Sequence, residues 1–122
     1  MMTRRTVSIA PAAPVIEAAR TMRDAQVGAL FVSEGAQHIG IVSESDLVRR
    51  VLAAGGDVRQ VRVSEVMTTP IITIEIDRSA HEASDLMAER GIRHVAVTED
   101  GKIVGMLSVR DLLRYFKNWG TL

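Results

Sequence analysis

No cysteine occurs among the 122 residues, so disulfides and thiolate metal sites are excluded and the chain suits a reducing cytosol. Aromatic residues are almost as rare. Two phenylalanines, one tyrosine and one tryptophan make up 3% of the chain, which leaves Val, Ile, Leu, Ala and six methionines to build any core. Net charge is also lacking: Lys and Arg number 15, and so do Asp and Glu. A neutral chain has no basic field to attract nucleic-acid phosphates or an anionic membrane surface. No apolar run approaches the ~18 residues of a membrane span. The opening MMTRRTVSIAPAAPVIEAA places two arginines before an apolar stretch, as some export signals do, but Pro11, Pro14 and Glu17 interrupt it. An ordered first strand and helix, in a cytoplasmic protein, is the expectation.

What is present is ordinary in bulk and unusual in pattern. A composition of 47% hydrophobic and 25% charged residues is that of a globular domain. A chain of this length can bury roughly two-thirds of its unfolded surface. Within it the heptad GIVSESD, Gly40 to Asp46, returns as GMLSVRD, Gly105 to Asp111, a shift of 65 residues. The same shift, without a gap, pairs Ile9 with Ile74, Glu17 with Glu82, Ala18 with Ala83 and Met22 with Met87. It also pairs Val32 with Val97, Glu34 with Glu99, Leu47 with Leu112 and Arg49 with Arg114. Register held over that distance marks an internal duplication.

Each copy reads as strand, helix, strand, strand, helix. Val7 to Ile9 and Ile71 to Ile74 are short β-branched runs. Val15, Ala18, Ala19 and Met22 recur at helical spacing, echoed by Ala83, Leu86 and Met87. Pro14 suits the first turn of the earlier helix, and Ser79 with Glu82 reads as a capping box for the later one. ALFVSEGAQHIGIVS and RHVAVTEDGKIVGMLS read as hairpins turning at Gly35 and at Asp100-Gly101. Closing helices are predicted from near Glu44 and Val109, with apolar pairs Leu47–Val48 and Val51–Leu52 matched by Leu112–Leu113 and Phe116. The boundaries expected are a first repeat over 1–56, a linker and short lead-in turn over 57–69, and a second repeat over 70–122. A unit of about 50 residues buries too little surface to be stable alone, so the copies are expected to pack on each other.

The repeated serine ends a strand and the repeated aspartate falls in the first helical turn, where free N–H groups and the helix dipole favour anions. An ionised carboxylate accepts only, and its two oxygens suit the vicinal hydroxyls of a ribose. The glycine three residues before the serine leaves room for a flat group beside the sheet. The same Ser-x-x-Asp spacing is also that of a helix cap with an acid in the first turn. Both roles can hold together, with one aspartate oxygen serving the helix and the other a ligand.

The duplicated pattern of a β-run, EAxxxM and then GIRHVAVTEDGKIVGMLSVRDLL, with MTTPIIT leading into the second copy, resembles a tandem pair of CBS domains, a Bateman module. The resemblance covers essentially the whole chain. It implies an α/β (α+β) fold of two pseudo-symmetric β-α-β-β-α repeats packed sheet to sheet. It also implies a regulatory module, not an enzyme, which needs no cofactor. Its regulatory ligand would be an adenine nucleotide (AMP, ADP or ATP) or, as in some members, S-adenosylmethionine or NAD. On that resemblance Asp46 and Asp111 would hold ribose hydroxyls, and Ser43 and Ser108 would bond ribose or phosphate. Backbone around Val7, Ser8 and Ile9 and around Ile72, Thr73 and Ile74, with Val42 and Leu107, would border the adenine. Arg93, His94 and Arg110 would meet phosphates. A homodimer signalling to a separate effector protein is implied as well. The first copy departs from the pattern: Gly28-Ala29 stand where the second has Arg93-His94, and Ser45 stands for Arg110. A charged nucleotide is therefore expected near the second copy, and an uncharged adenosine moiety or nothing at the first.

Other chemistry is thinly represented. His38, His81 and His94 share no metal-ligand spacing, and HEASD at His81 is not an HExxH helix. His38 reads as a hairpin residue, His81 as an exposed helical turn, and His94 as either a phosphate contact or a plain strand residue. No nucleophile elbow, Walker loop or dinucleotide fingerprint is present. Tyr115, Phe116 and Trp119 gather three of the four aromatics near the C-terminus, as cover for the core or a dimer seam, or as an anchor for a partner. Two other classes remain: a dimerisation scaffold whose Ser-x-x-Asp motifs are only caps, and nucleic-acid binding through Arg49, Arg50, Arg59 and Arg62, which the neutral charge disfavours.

Overall fold

The computed structural model describes residues 6–118. The first unit, Val7–Ile71, contains β1 (Ser8–Ile9), α1 (Val15–Ala25), β2 (Ala29–Glu34), β3 (Gln37–Ser43), α2 (Glu44–Leu47), which runs into a π-helical turn over Val48–Leu52, and α3 (Val63–Val66). The second unit takes in Ile72 onward and contains β4 (Thr73–Glu75), α4 (Ala80–Arg90), β5 (His94–Glu99), β6 (Lys102–Ser108) and α5 (Val109–Asn118). The architecture is mixed α and β, with two three-stranded sheets ordered β1-β2-β3 and β4-β5-β6. In each, the outer first strand runs parallel to the middle one and the hairpin strand antiparallel to it.

The duplication extends to irregular detail. Register slips between Val32 and Ser33 in one hairpin and between Val97 and Thr98 in the other, so Ile39 and Val104 are the extra residues of equivalent bulges. Helices α1 and α4 both end in a left-handed residue, Gln26 at φ 55° and Gly91 at φ 63°. Glycine takes that conformation freely, whereas a side chain does so at a cost. The second hairpin turns through Asp100 and Gly101, both at positive φ, as a tight two-residue turn requires.

The cores match position for position. Val15, Ala18, Met22, Leu30, Val32, Val42 and Val51 cluster in the first unit, and Ala80, Ala83, Met87, Val95, Val97, Leu107 and Phe116 in the second. Ala19, counted among the apolar helix positions, is exposed because it lies off the stripe set by Val15, Ala18 and Met22. Central strands β2 and β5 are buried through Ala29–Val32 and Val95–Thr98, which is why they read as continuous apolar runs and not as alternation.

The two units differ in how their first helix begins. Ser79 caps α4 by accepting the Glu82 N–H at 3.1 Å. Pro14 lies at the N-cap of α1, one residue before the first turn, and offers no capping side chain. The N–H groups of Val15 and Ile16 donate instead to the carbonyls of Val61 at 2.9 Å and Val58 at 3.0 Å. Those acceptors belong to the 57–69 segment, whose α3 also donates from Val63 to Ala13 and from Ser64 to Pro11, each at 2.9 Å. Arg62 Nη1 donates to the Ala12 carbonyl at 2.6 Å. The segment is thus built into the first unit, and Val63 and Val66 sit in its core.

Val63→Ala should therefore lower stability in urea denaturation by about 2 kcal/mol, the cost of a cavity in a packed core. A loss below about 0.5 kcal/mol, as at a surface position, would show instead that the segment is a loose tether.

Candidate functional site

In each unit the expected site residues gather at one end of the sheet, because the parallel first strand starts where the antiparallel third strand ends. In the first unit Ala29, opening β2, pairs with Ser43, closing β3, and the Phe31 N–H donates to the Val7 carbonyl at 2.9 Å. In the second, His94 pairs with Ser108, Val95 with Leu107, and the Ala96 N–H donates to the Ile72 carbonyl at 3.0 Å. The Val7 and Ile72 carbonyls are thereby engaged within the sheets. The side chains of Ser8 and Thr73 are exposed.

At both junctions serine and aspartate form a reciprocal capping box. Ser43 N–H donates to Asp46 Oδ2 at 2.9 Å while Asp46 N–H donates to Ser43 Oγ at 3.2 Å. Ser108 N–H donates to Asp111 Oδ2 at 2.9 Å while Asp111 N–H donates to Ser108 Oγ at 3.1 Å. Serine backbone and carboxylate thus stabilise the helix start together.

The second carboxylate oxygens differ. Thr68 Oγ1 donates to Asp46 Oδ1 at 3.2 Å, and Arg50 Nε lies 3.7 Å from the same atom. Asp46 is only 8% exposed. Asp111 is half-buried, and among the described residues its Oδ1 takes no hydrogen bond. Sequence reasoning assigned both aspartates to ribose hydroxyls and missed Thr68, the first threonine of the MTTPIIT run that leads into the second copy.

Val42 and Leu107, expected to border an adenine, are 0% and 3% exposed and lie in the two cores, because strand alternation turns them inward. Gly40, expected to leave room for a flat group, faces its own chain: a Cβ there would stand 2.9 Å from Met67 Sδ and 3.1 Å from the Thr68 carbonyl oxygen.

The basic residues of the second unit are open. Arg93 and Arg110 are exposed, and the Arg93 carbonyl accepts the first N–H of α5, from Val109, at 2.9 Å. Arg93 also lines an open groove of ≈ 470 Å³ between α4 and α5, with Met87, Leu112, Leu113 and Phe116. Tyr115 and Leu113 are exposed beside buried Phe116, and Trp119 lies outside the described residues. Of the arginines considered for nucleic acid, Arg50 and Arg62 are engaged with the chain itself. His38 accepts from or donates to Ser33 Oγ at 2.6 Å through Nδ1 and stacks on Phe31, and His81 is an exposed residue of α4 whose ring meets Phe116. Among the described residues no group of His, Cys, Asp and Glu could hold a metal ion, and no helix is long and apolar enough to cross a membrane.

Comparison with known proteins places this geometry in context. The CBS domain model matches twice, over residues 1–53 and 63–118. An uncharacterised protein of Methanopyrus kandleri is 34% identical over 91% of this chain, which spans 58% of that relative, little more than half its length. The CBS domain-containing protein YhcV of Bacillus subtilis is 33% identical over 91% of this chain and 79% of its own. Among solved structures, the CBS domain protein PAE2072 of Pyrobaculum aerophilum, complexed with AMP, superposes with a TM-score of 0.79 at 27% identity, covering 96% of this chain and 95% of that one.

Removing each carboxylate should separate the two environments. Asp111→Ala is expected to lower stability by about 1 kcal/mol, the worth of a helix cap. Asp46→Ala should cost about 2–3 kcal/mol, because Thr68 and Arg50 lose their partner as well. Equal losses in urea melts of the full chain would contradict the difference.

Proposed function

Because the chain belongs to the CBS-domain family and forms a tandem CBS pair, a regulatory module, we propose that it senses an adenine nucleotide through the junction of β6 and α5. The observation that carries this reading is the division of labour at Asp111. Oδ2 caps the helix, while Oδ1 takes no hydrogen bond among the described residues and remains able to accept from a ribose hydroxyl. The AMP held by the Pyrobaculum aerophilum relative supports this ligand class. Ser108 lies at the same junction. Arg110 follows Val109 at the helix start and Arg93 precedes β5; both are exposed and are the proposed cations for a phosphate. The ten residues of α5 add the favourable end of a helix dipole. AMP, ADP or ATP is the proposed ligand, with S-adenosylmethionine and NAD as the competing adenosine compounds. His94 borders the site through its pairing with Ser108.

The proposed signalling unit is a cytosolic homodimer acting on a separate effector. Val48, Leu52, Leu113 and Tyr115 expose apolar surface on the closing helices of the two repeats, and Val48 and Leu113 are equivalent under the duplication. Occupancy can be relayed only if the nucleotide binds one shape of the dimer more tightly than another.

Calorimetric titration of AMP, ATP, S-adenosylmethionine and NAD into the full chain tests the site. At least one adenosine compound should bind, and Asp111→Asn should weaken it at least about tenfold by removing a charged acceptor. If none binds, or if the variant binds equally well, the protein is a scaffold whose aspartates are caps. For the dimer, sedimentation should show a self-associating species that Leu113→Glu converts to monomer. A wild-type monomer at all concentrations would refute it.

A further inference from the structure

Asp46 already holds a hydroxyl group. Thr68 Oγ1 lies 3.2 Å from its Oδ1 and 3.4 Å from its Oδ2, where a sugar hydroxyl would donate to the same carboxylate. Ser43 donates to Oδ2 from both its N–H, at 2.9 Å, and its Oγ, at 3.1 Å. Arg50 Nε stands 3.7 Å from Oδ1. Both oxygens are therefore engaged before any ligand arrives.

The hydroxyl is held in place by backbone and does not depend on a chance rotamer. Thr68 exchanges two hydrogen bonds with Ile41 on the edge of β3, Thr68 N–H to Ile41 at 2.8 Å and Ile41 N–H to Thr68 at 3.1 Å. Arg50 Nη1 grips the carbonyls of Val66 at 3.2 Å and Met67 at 3.4 Å. Gly40 has no Cβ, which lets Met67, Thr68 and Thr69 lie close against the strand. A nucleotide at this junction would have to compete for Asp46 with a hydroxyl whose segment is already pinned to the strand. At Asp111 Oδ1, by contrast, no group among the described residues has to leave.

We propose that Thr68 is a built-in surrogate for a ribose hydroxyl, closing the first junction so that each chain admits one nucleotide, at the second. The inference rests on the reading of Asp111 as the ribose-binding carboxylate. It makes Thr68 and Arg50 the residues that set stoichiometry, and it assigns the two copies of the motif different tasks: one binds, and the other locks the 66–69 segment onto the first sheet.

The test is calorimetry with AMP on the full chain, combined with a melting series. One AMP per chain is expected, with that binding lost in Asp111→Asn. Thr68→Val and Asp46→Ala should each lower Tm, and adding Thr68→Val to Asp46→Ala should lower it no further, because hydroxyl and carboxylate are one interaction. Two AMP per chain, or additive losses in Tm, would overturn the inference. If no adenosine compound binds at all, the sensor reading fails instead, and the melting series alone decides whether Thr68 occupies Asp46.

Discussion

The proposed function turns on a carboxylate that caps its own helix. A serine at the end of a strand and an aspartate three residues later satisfy each other's backbone N–H groups, and this fixes where the sheet stops and the helix begins. Capping needs one carboxylate oxygen. The fate of the other is left to the surroundings, and there the two copies part. In the first unit a threonine and an arginine from the same unit take it; in the second, among the described residues, nothing does. The same Ser-x-x-Asp spacing thus ties down both carboxylate oxygens in one place and, among the described residues, only one in the other.

The duplication kept the skeleton and changed its connections. The bulge after Val32 and Val97, the left-handed close of α1 and α4, and the matched core positions are common to both units. One difference lies at Pro14. Without a capping side chain there, α1 relies on carbonyls of the 57–61 stretch. The chain beyond α2 returns to the first unit there, and further along the same course Thr68 lies along β3 beside Asp46. The uncapped start of α1 and the engaged carboxylate of Asp46 are both served by one stretch of backbone, 57–69.

Much of this was readable from residues. The period of 65, the apolar stripe of Val15, Ala18 and Met22, the turn at Asp100-Gly101 and the caps at Ser43, Ser79 and Ser108 rest on local rules that the structure obeys. The gathering of Arg93, His94, Ser108 and Asp111 at one sheet end follows from β-α-β-β-α connectivity alone. Long-range partners were not readable. Nothing local tells that Thr68 reaches Asp46 across 22 positions, that Arg62 reaches Ala12 across 50, or that Gly40 makes room for its own chain. The burial of Val42 and Leu107 was missed for a related reason: neighbours along a strand face opposite sides of it.

The most direct measurement is a crystal structure of the full chain grown with AMP. The account predicts a ribose hydroxyl within hydrogen-bond distance of Asp111 Oδ1, with Oδ2 still bonded to the Ser108 N–H and Thr68 still bonded to Asp46. A nucleotide seated on Asp46 with Thr68 displaced, or an AMP bound without touching either carboxylate, would contradict it.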